Sequence, residues 1–486
     1  MDTNTINSIK ARDGKEFIFD DVSEVNRLFE LQKINKTKIR QTSVSERIQK
    51  LKKFERSIQT RRTEIELALY KDLQKNAFEA NYSEIFGTLS EIRYFIKNLG
   101  KWMKRQKVSN SFAYLGSTSS IMYEAKGNCL IITPWNYPFY LTMSHLVASV
   151  GAGNVTIIKP SESTPYTSDL IRQIISEVFD ENEVAVVFAG KDISEILTRM
   201  PFEHIHFTGS TTTGKRIMEA ASENLCSVTL ELGGKSPVII DENYPIANCI
   251  KQIGWGKFIN AGQTCIAPDY VLVHSSKKDE FITQLKSYLA SSFGLHPMES
   301  DIMTCIIHVA HHDKLVGLLQ NAVASGAAVL HGGNFDRENL RFEPTLVEIN
   351  DLNSELMQQE IFGPILPIVT YDTLEEALFI INSRPKPLAM YLFSNDNKWL
   401  DQVLSNTSSG GVSINDTMAH FVQTYLPMGG VNHSGIGKSH GHFGFLEFSN
   451  QRAVLKSHIK GGITWPFQFP YTNFKKKLLE VLLKWF

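Results

Sequence analysis

Val228-Thr229-Leu230-Glu231-Leu232-Gly233-Gly234-Lys235-Ser236-Pro237 is a short apolar strand that carries one carboxylate and runs straight into a Gly-Gly turn. Upstream of it, apolar runs of strand length at 130–133, 155–158, 184–188, 205–208 and 228–232 alternate with helical segments. Strand and helix in strict alternation make a parallel sheet covered on both faces, with its ligand crevice at the carboxyl ends of the strands. Downstream, a second alternating series has strands expected at 270–273, 328–330, 345–347, 388–393 and 411–414. The fold class is therefore α/β, with two doubly wound domains meeting near the Gly-Gly turn. Glu231, between two leucines, should be desolvated and its pKa raised, which suits a general base working near neutral pH. The plainer reading is an edge-strand glutamate facing water.

Working outward, Phe258-Ile259-Asn260-Ala261-Gly262-Gln263-Thr264-Cys265-Ile266-Ala267-Pro268 places a cysteine after small and polar residues that let the backbone approach a bound molecule. Pro268 stops the segment continuing as a helix. A lone cysteine is more often packing than nucleophile, so this stretch needs support from others. Ile131-Ile132-Thr133-Pro134-Trp135-Asn136-Tyr137-Pro138-Phe139 ends another strand with an amide held between two prolines, able to donate a rigid hydrogen bond to an oxyanion. Gly209-Ser210-Thr211-Thr212-Thr213-Gly214 turns a strand into a helix whose free N–H groups can receive a pyrophosphate. Gly151-Ala152-Gly153 looks like a dinucleotide fingerprint, but Thr156 stands at its third glycine position and the pattern fails.

These stretches, in this order, resemble the aldehyde dehydrogenase superfamily. They are joined by Ile158-Lys159-Pro160-Ser161-Glu162 and by Glu360-Ile361-Phe362-Gly363-Pro364. The ending around His440-Gly441-His442-Phe443-Gly444-Phe445 is most similar to the class 3 or fatty-aldehyde branch. The resemblance implies a Rossmann-like coenzyme domain, a catalytic domain and a small β-ribbon oligomerisation element. It implies Cys265 as nucleophile, Glu231 as base and Asn136 as oxyanion donor with the Cys265 N–H. Coenzyme would be held by Thr133, Trp135, Lys159, Glu162, Gly209, Ser210, Gly214, Glu360 and Phe362, and Tyr137 would line the substrate entrance. Glu162 near the ribose favours NAD, with NADP left open because the branch includes members that accept both. The implied reaction turns an apolar aliphatic or aromatic aldehyde into its carboxylic acid through a cysteine thiohemiacetal and thioester. The rival readings are a coenzyme-independent thiol esterase and a non-catalytic binding or structural protein on the same fold.

At 486 residues the chain exceeds what one core usually serves. The expected division is an N-terminal flexible arm, 1–22; a coenzyme domain, 23–106 and 127–231; a catalytic domain, 232–439; a bridging element, 107–126 and 440–460; and a tail, 461–486. Residues 23–105 lack proline and carry apolar positions at helical spacing, whereas 108–126 alternates as a two-stranded ribbon does, one that by resemblance bridges a homodimer. Fifty basic against 51 acidic residues leave a net charge of −1, and no basic block is long enough to track nucleic acid. Five scattered cysteines and no signal-peptide-like run lead to the cytoplasm as expected compartment. No metal is expected: His308, His311 and His312 read as a surface cluster at a helix start. In the tail, Phe474, Leu478, Leu479, Val481, Leu482, Leu483, Trp485 and Phe486 fall on one helical face, with Lys476, Lys477, Glu480 and Lys484 on the other. Docking on its own body is the leading expectation for it. Capping a subunit's substrate funnel and lying peripherally on a membrane surface are the alternatives.

Overall fold

The computed structural model describes residues 8–485. Residues 1–7 of the expected arm and Phe486 of the expected tail lie outside that range. Two large sheets carry the molecule. The first has six strands in the order Gly435–Ile436, Ser227–Glu231, His204–Thr208, Asn128–Ile132, Val155–Lys159, Val184–Val186, parallel except for the first. The second has seven, in the order Ala328–His331, Thr345–Glu348, Ile365–Tyr371, Tyr270–His274, Pro237–Ile240, Ala389–Phe393, Gly411–Ile414, again parallel except for the first. Separate apolar clusters cover the two faces of each sheet. Burial on both faces is why these strands read as continuous runs of Val, Ile and Leu rather than as alternating ones.

In the first sheet the strand order reverses beside Asn128–Ile132, whose neighbours are Val155–Lys159 and His204–Thr208. Helices leave in opposite directions at such a point, and the gap between them opens a crevice. Thr133 to Asn136, Lys159, Gly209–Ser210 and Glu231 all lie at the carboxyl ends of these strands. The failed glycine fingerprint lies elsewhere, at the end of the helix Pro138–Ala152. There Gly153 adopts φ +89 and leaves room for the Arg47 guanidinium, which a Cβ would meet at 2.3 Å.

Three expectations need correcting. The arm is not loose over its described part: Ser8–Lys10 pairs with Glu16–Ile18, and Phe17 packs edge-on against Tyr166 at 5.1 Å. Arg12 donates to Ile306 O at 3.1 Å and Ile307 O at 3.2 Å, tying the hairpin to the second half of the chain. Two three-residue strands are too short to show periodicity, which is why no pattern marks them. The ribbon has three strands rather than two, because Ser117–Ala125 pairs along nine residues with Ser449–Ser457 as well as with Gln106–Val108. The tail does form a helix, Asn473–Trp485, but it does not dock on the body: Phe474, Val481 and Leu483 stay exposed, Leu483 at 75%.

The helical layer contains a buried ion pair that reaches the crevice. Lys75 and Glu84 are both 0% exposed, and Lys75 Nζ donates to Glu84 Oε1 at 2.6 Å. Glu84 lies in a π-helical turn, Asn81–Phe86, between two α-helices. Its Oε2 accepts from Phe139 N and Tyr140 N, both at 3.0 Å, satisfying two of the N–H groups that the first turn of Pro138–Ala152 cannot bond itself. Lys75 also donates to Asn136 O at 3.2 Å and sits 4.3 Å from the centre of the Tyr137 ring. A pair sealed this deeply is costly to break on one side, because the remaining charge has no water to turn to. Lys75→Met should therefore lower unfolding free energy by about 3–5 kcal/mol, while Lys75→Met/Glu84→Leu recovers a large part of it; denaturant titration of the two variants checks this.

Candidate active site

Cys265 follows the helix Ile250–Phe258 and a tight turn in which Asn260 and Ala261 both adopt φ 52 and Gly262 φ 71. A Cβ at Gly262 would lie 2.3 Å from Gly363 O, so the cysteine loop can close on the Gly363 segment only with glycine here. Side chains hold the loop on every side. Asn260 Nδ2 donates to Asn136 O at 3.0 Å and to Gln263 O at 3.1 Å, and Gln263 Nε2 reaches Cys305 O at 3.0 Å. The Tyr137 hydroxyl bonds Thr264 Oγ1 at 2.7 Å, and the Tyr391 hydroxyl donates to Ile266 O. The residues flanking Cys265 are thus pinned while its thiol lines an open cavity.

Asn136 is buried and donates from Nδ2 to Gln263 O at 3.0 Å. An amide nitrogen has two hydrogens, so this bond uses one of them and leaves the other. Glu231 is buried at the end of its strand, and burial raises its pKa to about 7 against the opposing hydrogen bond from Ser439 Oγ. Its other oxygen lies 3.9 Å from His145 Nε2, so the carboxylate rests turned toward Ser439 and His145 rather than toward the thiol. Burial also pushes the Cys265 thiol well above its ordinary pKa, and the Glu360 and Glu231 carboxylates add to the effect. The resting thiol is protonated, and a base or a bound positive charge must activate it.

The cavity, of about 170 Å³, runs from Cys265 and Thr264 outward between Tyr82, Tyr140, Trp255 and Phe421. One wall comes from the π-helical turn and the other from a loop around residues 416–422. Its lining is mostly aromatic and aliphatic. Tyr137 is part of it, where the sequence put it.

The expected coenzyme residues lie on a separate approach. Ser210 caps the helix Thr211–Ser222, its Oγ accepting from Thr213 N at 3.3 Å, and Gly209 N donates to Glu231 O at 3.0 Å. Lys159 Nζ pairs with Glu162 Oε2 at 2.5 Å. Burial pushes Glu162 up, but the Lys159 charge and hydrogen bond, with the Lys191 charge, together outweigh it and hold the carboxyl below its usual range. Thr133 Oγ1 bonds Thr142 Oγ1 at 2.7 Å, while Trp135 stands edge-on to Phe362 at 5.3 Å. Glu360 lies against the Gly-Gly turn: a Cβ on Gly233 would fall 2.2 Å from its Oε2. Free N–H groups at a helix start, a Lys/Glu pair at a strand end and a carboxylate cradled where only glycine fits suit a dinucleotide's phosphates and two riboses.

Several supporting residues escaped the sequence reading. Lys235 pairs with Asp269 and donates to Leu356 O at 2.6 Å and Gln359 O at 3.0 Å, while Asp269 Oδ1 accepts from Ile361 N at 3.1 Å. Together they fix the segment that carries Glu360. Lys235 stood inside the opening stretch, and a lysine beside a buried Gly-Gly turn was the available signal. His311, read as surface, instead donates from Nε2 to Phe362 O at 2.8 Å and packs on Trp135 at 5.7 Å. His145 and His206 beside Glu231 come from two other elements and share no spacing that would join them.

A model of the aldehyde dehydrogenase family matches residues 4–454. The chain belongs to this family, and it is an aldehyde-oxidising oxidoreductase that takes NAD or NADP. Among its relatives, the 4,4'-diaponeurosporen-aldehyde dehydrogenase of Staphylococcus aureus is 41% identical over 91% of this chain and 95% of that protein. Aldehyde dehydrogenase family 3 member A2 of Rattus norvegicus is 37% identical over 90% and 92%, in keeping with the class 3 resemblance. A solved structure of Staphylococcus aureus AldH in its substrate-bound state superposes with a TM-score of 0.90 at 39% identity, covering 94% of this chain and 99% of that one.

Gly233→Ala should displace the Glu360 carboxylate and raise the coenzyme KM by about tenfold or more, the loss expected for about 1.4 kcal/mol of binding. Steady-state kinetics at saturating aldehyde check this.

Proposed function

We propose that the enzyme oxidises an apolar aldehyde to its carboxylic acid, with Cys265 as nucleophile, Asn136 as oxyanion donor and Glu231 as the base for hydrolysis. The observation that carries this reading is the position of Cys265 in the lining of an aromatic cavity, on a loop that the Asn136 amide binds two residues upstream, at Gln263 O. An aldehyde carbon in that cavity meets Sγ while its oxygen faces the remaining Asn136 N–H, so negative charge developing on oxygen is stabilised by a donor already in place. NAD or NADP, when bound, supplies the hydride acceptor. Glu231 then turns from Ser439 toward the thioester and takes a proton from the attacking water, a task for which a pKa near 7 suits it. The Staphylococcus aureus relative named for a carotenoid-derived aldehyde supports an apolar substrate class. The Lys159 and Glu162 pair at the ribose end favours NAD, since a carboxylate repels a 2'-phosphate. The division into coenzyme domain, catalytic domain and bridging ribbon remains the functional reading of the three main sheets, with the long pairing of Ser117–Ala125 and Ser449–Ser457 offering a homodimer surface.

Among the described residues no helix is long and apolar enough to cross a membrane. The exposed apolar face of Asn473–Trp485 follows Trp465, Phe467, Phe469 and Tyr471, all exposed, and begins with Lys475, Lys476 and Lys477. Aromatic rings beside a basic start suit the edge of an anionic bilayer, and we assign the tail to bringing the enzyme to a surface that carries its substrate.

Cys265→Ala should abolish aldehyde oxidation and leave coenzyme binding near normal; oxidation above a trace removes the thiol from its role. In Glu231→Gln the amide cannot take a proton, so about one equivalent of NADH should appear as a burst and turnover should then nearly stop, as stopped-flow absorbance would show. Deleting residues 473–486 should abolish co-sedimentation with anionic liposomes and reduce kcat/KM for long apolar aldehydes while short ones stay unchanged. A uniform loss accompanied by a lower melting temperature would instead make the tail a packing element.

A further inference from the structure

Beside Glu231 lie two histidines that the oxidation chemistry does not use. His145 comes from the helix Pro138–Ala152, His206 from the strand His204–Thr208 and Glu231 from the neighbouring strand Ser227–Glu231. All three are at most 3% exposed. The imidazole rings lie 3.8 Å apart, and burial holds both well below their ordinary pKa, leaving them neutral. His145 Nε2 and both ring nitrogens of His206 have no hydrogen-bond partner among the described residues. Buried polar atoms are nearly always paired, and orphaned nitrogens on two imidazoles beside one buried carboxylate need a common explanation.

We infer that His145, His206 and Glu231 form a binding site for one divalent transition-metal ion of the zinc and cobalt class, and that the bound ion holds Glu231 away from Cys265. Two imidazole nitrogens and a carboxylate oxygen are the donor set such ions prefer, and neutral imidazole is the form that ligates. One ligand atom from each residue lies within 4.8 Å of the others, and His145 Nε2 is 3.9 Å from Glu231 Oε2. Tetrahedral bonds of about 2.0–2.1 Å put ligand atoms about 3.3 Å apart, so side-chain shifts of about 1.5 Å or less complete the site. Ser439 Oγ donates to the other Glu231 oxygen and orients the carboxylate as an outer partner does in metal sites. Glu447 adds negative charge nearby and Lys438 opposes it. The ion would leave the thiol and the oxyanion donor untouched and remove the base. Its consequence for turnover rests on the hydrolytic role proposed for Glu231; binding itself does not.

The test separates the two. Chelator-stripped Cys265→Ser protein, which lacks the competing thiol, is titrated with Co²⁺ and followed by visible absorption and calorimetry. One equivalent should bind with tetrahedral d–d bands, be displaced by Zn²⁺, and be lost in His145→Ala and in His206→Ala whose melting curves confirm folding. Absence of stoichiometric binding, or bands that persist in both histidine variants, overturns the site. In the wild-type enzyme Zn²⁺ should suppress the steady state while leaving the NADH burst amplitude unchanged. Loss of burst and steady state together would place the inhibitory ion on Cys265 and overturn the withholding of Glu231. Stoichiometric Co²⁺ binding with no effect on a Glu231-independent turnover would leave the site standing and defeat the hydrolytic role instead.

Discussion

Two opposite charges sealed from water cannot be left unsatisfied, and the Lys75 and Glu84 pair turns that constraint into architecture. Glu84 spends its second oxygen on the N–H groups that open the helix after Asn136, and Lys75 bonds the Asn136 carbonyl itself. The turn carrying Asn136, the proposed oxyanion donor, is therefore fixed at both its main-chain ends by groups that have nowhere else to go. Asn260 adds a second tie to that carbonyl from the cysteine loop. Donor and thiol are held in one frame before any substrate arrives, and that preorganisation is what makes a hydrogen-bond donor effective on a developing charge.

The second α/β unit closes around the cleft through contacts only small residues permit. Gly233 gives the Glu360 carboxylate its place, and Gly262 lets the cysteine loop lie on Gly363. Lys235 and Asp269 hold the intervening segment through main-chain bonds to Leu356, Gln359 and Ile361. Residues far apart in sequence thus meet at one cleft because the backbone comes close where side chains are absent. The same closeness keeps water from the carboxylates, which is why Glu231 and Glu360 both have their pKa raised to about 7 by burial.

Most strands were legible because burial on both faces favours unbroken apolar runs such as Cys129 to Ile132. Ile365–Tyr371 was missed, although it is central in its sheet, because Pro367 lies within it and proline ordinarily marks an edge or an end. Pro237–Ile240 was hidden by its leading proline and the preceding turn. Cys265, Glu231 and Asn136 could be picked out because each sits in an unusual local context. Lys75, Glu84, His145 and His206 could not, because their meaning comes largely from partners tens of residues away, such as Asn136, Phe139 and Glu231. A π-helical turn adds only one residue to a helical period, too little to register against ordinary scatter.

That turn forms one of two unequal walls of the cavity beside Cys265. Tyr82, Ser83 and Gly87 face the cavity from the same short stretch that sends Glu84 inward, and a Cβ on Gly87 would strike the Tyr140 ring at 2.7 Å. Changing the bore from this side disturbs the charge pair and, through Tyr140, its edge-on ring contacts with Phe421 and His440. The opposite wall, residues 416–422, has exposed positions such as Val422 and carries no buried ion pair. Selection for a new substrate in this lineage would thus find one wall effectively frozen and the other free to vary, so descendants differing in aldehyde preference should record that history in the loop.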